Sequence, residues 1–172
     1  VSHVDRLAKK CRKPLHVGEV QGDSIMGKEA MQNLRFVEDY NGIFKVWALP
    51  QETKERIEGR YIVAVDIGGR SKTADYSDII VLDRYWMMYG GVPEVVAEWH
   101  GHIDHDLLAW KAAQIATYYD NALLVVESNT LETKKNSEGN HFSTLLGKML
   151  DHRRAENTCR ARNDYHTALD TE

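Results

Sequence analysis

The stretch "RYIVAVDIGG" (residues 60–69) decides the fold. It is a short apolar run rich in β-branched residues, and it stops at an aspartate and two glycines. That length and content predict a buried strand rather than a helix. A carboxylate at the end of a buried strand is costly unless something neutralises it. The first question is therefore what meets Asp66.

Downstream, "YSDIIVLDRYWM" (76–87) predicts a second strand, Gly90 to Pro93 a turn, and "EVVAEWHGHI" (94–103) a third strand. Together they form an antiparallel meander. Asp104 then caps a helix over 105–120, with Leu107, Leu108, Ala112, Ile115, Ala116 and Tyr119 on one face. "ALLVVESN" (122–129) is apolar up to Glu127 and predicts a central strand. A polar stretch leads to a second helix, "HFSTLLGKMLDHRR" (141–154). The order β-β-β-α-β-α predicts an α/β fold that resembles the opening of an RNase H-like domain. Three antiparallel strands are followed by a crossover helix to a central parallel strand.

Upstream, residues 1–15 read as a polar, partly helical lead-in, 16–22 as a short strand and 27–34 as one or two helical turns. "LRFVEDYNGIFKVWALP" (34–50) predicts a β-hairpin, with Asn41-Gly42 supplying a tight turn. Pro50 and "QETKERIEG" read as a linker. The expected organisation is an extension with a β-hairpin over 1–59 and an RNase H-like domain over 60–172.

The chain has 172 residues, 42% of them hydrophobic, which suits one domain or one domain with an extension. No apolar run approaches the ~18 residues of a membrane span, and the first residues lack the apolar core of a secretory signal. The first residue is Val1 rather than methionine, which raises the expectation of a piece of a longer chain. Cys11 and Cys159 supply neither a disulfide framework nor a cysteine zinc site.

The net charge is −4, but its distribution is uneven. Residues 1–13 carry five Lys/Arg against Asp5, residues 133–163 carry seven against three acids, and 61–132 carry four against eleven acids. An acidic centre between basic flanks suits carboxylate-held cations with a polyanion around them.

Asp66 and Glu127 each end an apolar strand, "IVAVD" and "LLVVE". Side by side they would repel, and a divalent cation relieves both costs. Oxygen-only ligands suit Mg²⁺ or Mn²⁺ rather than Zn²⁺. Two such ions about 4 Å apart can activate water and stabilise a leaving oxygen in phosphodiester cleavage. Asp75, in "TADYSD", returns towards Asp66 through the hairpin and is a candidate accessory acid.

"YIVAVDIGGRSKTADYSDIIVLDRYW" followed by "VAEWHGHIDHDLLAWKAAQIATYYDNALLVVESNT" resembles the nuclease domain of the large terminase subunit of tailed bacteriophages. The likeness covers about residues 60–150. It implies a Mg²⁺- or Mn²⁺-dependent endodeoxyribonuclease that cuts concatemeric double-stranded DNA by a two-metal mechanism during genome packaging. It implies Asp66 and Glu127 as catalytic metal ligands and Asp75 as a supporting catalytic acid. Arg70 and Lys72, in the loop after Asp66, are candidate phosphate contacts. The implied partners are the packaging ATPase domain, the small terminase subunit and the portal, with no membrane, in the host bacterial cytoplasm. The sequence departs from that family in two ways. It holds no G-x-x-x-x-G-K-[ST] loop, and "ALDTE" at its end does not match the family's late acidic stretch. The third metal ligand is therefore expected to be missing and the domain incomplete.

Three rival readings stand beside this one. "WHGHIDHDLLAW" (99–110) matches the H-x-H-x-D-H zinc signature of the metallo-β-lactamase superfamily through His100, His102, Asp104 and His105. That reading needs a downstream Gly-His to complete the site, and none of His141, His152 and His166 follows a glycine. The competing assignment makes His100 and His102 a strand end and Asp104 a helix cap. "VDIGGRSKT" also resembles the first phosphate loop of actin-like sugar kinases, which need a second such loop. The last rival is a DNA-binding module without catalysis.

Overall fold

The computed structural model describes residues 12–50, 57–68 and 75–126. Glu127, Arg70, Lys72, both cysteines and the expected second helix over 141–154 lie outside them.

The fold is mixed α/β. Among the described residues seven strands form one sheet: β1 (His16–Gln21), β2 (Arg35–Glu38), β3 (Phe44–Val46), β4 (Tyr61–Asp66), β5 (Ser77–Asp83), β6 (Glu94–Gly101) and β7 (Leu123–Val126). Their order is β2-β1-β3-β6-β5-β4-β7. Neighbours are antiparallel except β4 and β7, which run parallel. Helix α1 (His105–Tyr118) connects β6 to β7.

Alternation builds the core. Tyr61, Val63 and Val65 of β4 and Ile79 and Val81 of β5 are buried, as are Trp99, Phe44, Val46 and Val20 on the neighbouring strands. Helix α1 covers this face, touching β1, β4 and β7. Its buried stripe is Leu108, Ala109, Ala112, Ala113, Ile115 and Ala116. The alanines let the helix lie close to the sheet, while Leu108 and Ile115 contribute about 1.5–3 kcal/mol each by burial. Gln114 donates to the Ala30 carbonyl at 2.9 Å and the Tyr119 hydroxyl to the Ala48 carbonyl at 3.0 Å. Both bonds tie the helix to the segments before β4. The helix stops where Asp120 and Asn121 turn left-handed (φ 55° and 54°), a region that short polar side chains tolerate. The Ala122 amide then closes on the Ala116 carbonyl at 2.8 Å and feeds the chain into β7.

Two expectations are corrected. The hairpin over 34–50 does not form, because β2 and β3 flank β1 instead of pairing with each other. Gly18 pairs with Glu38 on one side and with Phe44 on the other, so residues 39–43 must pass across β1 at Gly18. A Cβ on Gly42 would lie 2.6 Å from the Gly18 carbonyl oxygen and 2.7 Å from its Cα. The glycine taken as a hairpin-turn residue is a glycine of close approach. The three N-terminal strands also continue the main sheet through the β3–β6 ladder. The second correction concerns β7, expected to be central. Among the described residues it lies at one edge of the sheet, with β2 at the other, and Leu123 is 57% and Val125 48% exposed.

At one end of the sheet, Arg60 grips Asp83 with Nε at 3.0 Å and Nη2 at 2.7 Å, between the rings of Tyr61 and Tyr85. The hydrogen bond to Asp83 holds the guanidinium above its ordinary pKa, against the opposing effect of burial. The Tyr85 amide donates to the same carboxylate at 2.8 Å, which anchors the turn after β5.

Candidate functional site

The opposite end of the sheet carries the acids. Asp66, the last residue of β4, is paired across the ladder with Asp78 of β5, and Asp78 with His100 of β6. Directly paired residues share a face. The adjoining residues Val65, Ile79 and Trp99 are buried beneath α1, so Asp66, Asp78 and His100 form a row on the other face.

Like charges directly opposite on adjacent strands repel. On the Asp78 side the His100 Nδ1–H donates to Asp78 Oδ1 at 2.5 Å. The pair is partly exposed, so it contributes little stability, but it fixes the orientation of the imidazole. The Tyr76 ring stacks on His100 at 4.4 Å and on His102 at 4.0 Å between centroids.

The Asp75 backbone lies against Gly68, two residues after Asp66. A Cβ on Gly68 would lie 2.3 Å from the Asp75 carbonyl oxygen and from Tyr76 backbone atoms. The Gly68 amide donates to Ser77 Oγ at 3.0 Å, and its carbonyl accepts from His105 Nε2 at 3.1 Å.

The four residues of the H-x-H-x-D-H motif go to separate tasks. His100 bonds Asp78, His102 stacks on Tyr76, Asp104 takes the N-cap position of α1, and His105 bonds Gly68. Among the described residues no group of three or more His, Cys, Asp or Glu side chains is arranged to hold a metal ion. Among them, too, no helix is long and apolar enough to cross a membrane.

The donor chemistry at Asp66 and Asp78 is oxygen-only on adjacent strands, which suits a hard divalent cation. Sequence reading did not single out Asp78. Its signal was the alternation of β5, where Asp78, Ile80 and Leu82 share the face away from the buried Ile79 and Val81. The last described pair of the parallel ladder is Val65–Val126, and Asp66 and Glu127 are the next residues of the two segments. Comparison with family models, curated proteins and solved structures finds no match to this chain.

Proposed function

We propose that the chain is an RNase H-like nuclease domain of a viral DNA-packaging terminase, an Mg²⁺- or Mn²⁺-dependent endodeoxyribonuclease. The observation that carries this reading is the position of Asp66, at the end of β4, where β4 meets the parallel strand β7. In sequence, Asp66 and Glu127 each follow the last described pair of that ladder, Val65–Val126. The order β6-β5-β4-β7, with α1 joining the antiparallel strands to the parallel one, supports an RNase H-like arrangement.

In this reading Asp66 and Glu127 hold the metal, and Asp75 and Asp78 support them. Arg70 and Lys72, together with the basic flanks, contact phosphates of double-stranded DNA and position the backbone without reading bases. Bound Mg²⁺ or Mn²⁺ supplies the activated water and stabilises the leaving oxygen. The ATPase domain, small subunit and portal are the partners this reading assigns, in the host cytoplasm. The zinc reading stays the alternative: both ring nitrogens of His102 and Nδ1 of His105 are buried without a partner, while His100 bonds Asp78 and no group of three ligating side chains is assembled among the described residues.

The test is cleavage of supercoiled plasmid with Mn²⁺, comparing the chain with Asp66→Asn. Nicked and linear products that vanish in the variant and with chelator are expected. Salt-sensitive DNA binding without cleavage under any metal would instead leave a DNA-binding module.

A further inference from the structure

We infer that His105 is a positioning residue for Asp66, acting through the backbone of Gly68. The inference rests on the nuclease reading of Asp66 and goes beyond it by giving the last histidine of the motif a role in the site.

Three constraints meet at Gly68, two residues after Asp66. The His105 ring is buried, 8% exposed, and its Nε2 stands 3.1 Å from the Gly68 carbonyl. A carbonyl only accepts, so the ring proton sits on Nε2. The other nitrogen, Nδ1, is buried without a partner. This ring is therefore held in one tautomer by one bond, and that bond points at the loop after Asp66. Ser77 Oγ takes the Gly68 amide from the other side, and Asp75 and Tyr76 leave no room for a Cβ. Both polar groups of the Gly68 peptide backbone are thus fixed, one by the first residue of α1 and one by the first residue of β5.

A short tether from Asp66 to a doubly bonded glycine restricts where the carboxylate can go. Partners that orient a metal ligand typically change affinity about 10- to 100-fold when removed. Only the Nε2–H donor matters here, so a glutamine, whose amide nitrogen can take the Nε2 position, should serve in its place. A leucine fills the space but leaves the Gly68 carbonyl unbonded.

The experiment is calorimetric titration of Mn²⁺ into the chain, His105→Leu, His105→Gln and Ser77→Ala, with Gly68 amide exchange followed by NMR. His105→Leu should bind Mn²⁺ about 10- to 100-fold more weakly, His105→Gln should recover most of the affinity, and Gly68 exchange should accelerate in step. Should His105→Leu fail to fold, Ser77→Ala loosens the same glycine from the opposite side and should weaken Mn²⁺ binding likewise. Wild-type binding with unchanged affinity in folded His105→Leu or Ser77→Ala overturns the positioning role alone. Absence of Mn²⁺ binding by the wild-type chain overturns the nuclease reading, and the positioning role with it.

Discussion

Asp66 and Asp78 stand directly opposite each other on adjacent strands, and His100 completes the row by bonding Asp78 at 2.5 Å. Two carboxylates in that relationship raise the local negative potential. In the proposed reading a divalent cation at Asp66 relieves that repulsion. Asp78→Asn should weaken Mn²⁺ binding about 10- to 100-fold, the range for an outer partner of a metal ligand. Unchanged affinity in calorimetry would place Asp78 outside the site.

The far end of the sheet is held by a different device. Arg60 and Asp83 are 9% and 11% exposed and bonded through two guanidinium nitrogens. Removing one partner of a buried pair strands the other charge. Asp83→Asn should cost about 3–5 kcal/mol in urea unfolding, whereas the double change Arg60→Met with Asp83→Leu should cost less than the single one. A single variant as stable as wild type would show that the pair carries no weight.

The crossing at Gly18 makes a separate prediction. A methyl group on Gly18 would lie 2.1 Å from the Val37 carbonyl oxygen, and one on Gly42 would meet the Gly18 backbone. Each Gly→Ala change should destabilise by roughly 1–3 kcal/mol through overpacking. If β2 and β3 were instead a simple hairpin, Gly18→Ala would sit in an ordinary ladder and cost little. Thermal melts of the two variants decide between these.

Tyr119 gives the fold an alkaline limit. Burial, followed by its neighbours Tyr118 and Tyr61, pushes the phenol well above its ordinary value, which keeps the proton that bonds the Ala48 carbonyl. The unfolded chain loses that proton near pH 10, at the ordinary tyrosine value, while the folded chain keeps it. Fewer protons on the unfolded state mean that stability falls as pH rises past about 10. Tyr119→Phe should be less stable at neutral pH and show a shallower alkaline decline. Parallel curves for the two proteins would remove Tyr119 from the account.

The strands from Tyr61 to Val126 and the helix between them were legible because their alternation and period are strong. Among the described residues β7 lies at an edge rather than the centre, since an apolar run reports burial potential, not which neighbours a strand acquires. The stretch 34–50 misled for a related reason. Asn-Gly between two alternating runs is a hairpin signal only if the runs pair with each other, and here β1 inserts between them. Asp66 and Asp75 could be picked out as strand-end and turn acids. Asp78 could not, because the connection between β4 and β5 is too long to set their register, and a one-residue slip would turn Asp78 to the other face. The H-x-H-x-D-H match shows the converse: a short pattern can be complete while His100 bonds Asp78, His102 stacks on Tyr76 and His105 bonds Gly68.

The most direct measurement of the central claim is a calorimetric titration of Mn²⁺, with Zn²⁺ run separately, into the chain, Asp66→Asn and His102→Ala. Mn²⁺ should bind, Asp66→Asn should abolish that binding, and His102→Ala should leave it in place. Tight Zn²⁺ binding lost in His102→Ala, with Asp66→Asn indifferent, would contradict that claim.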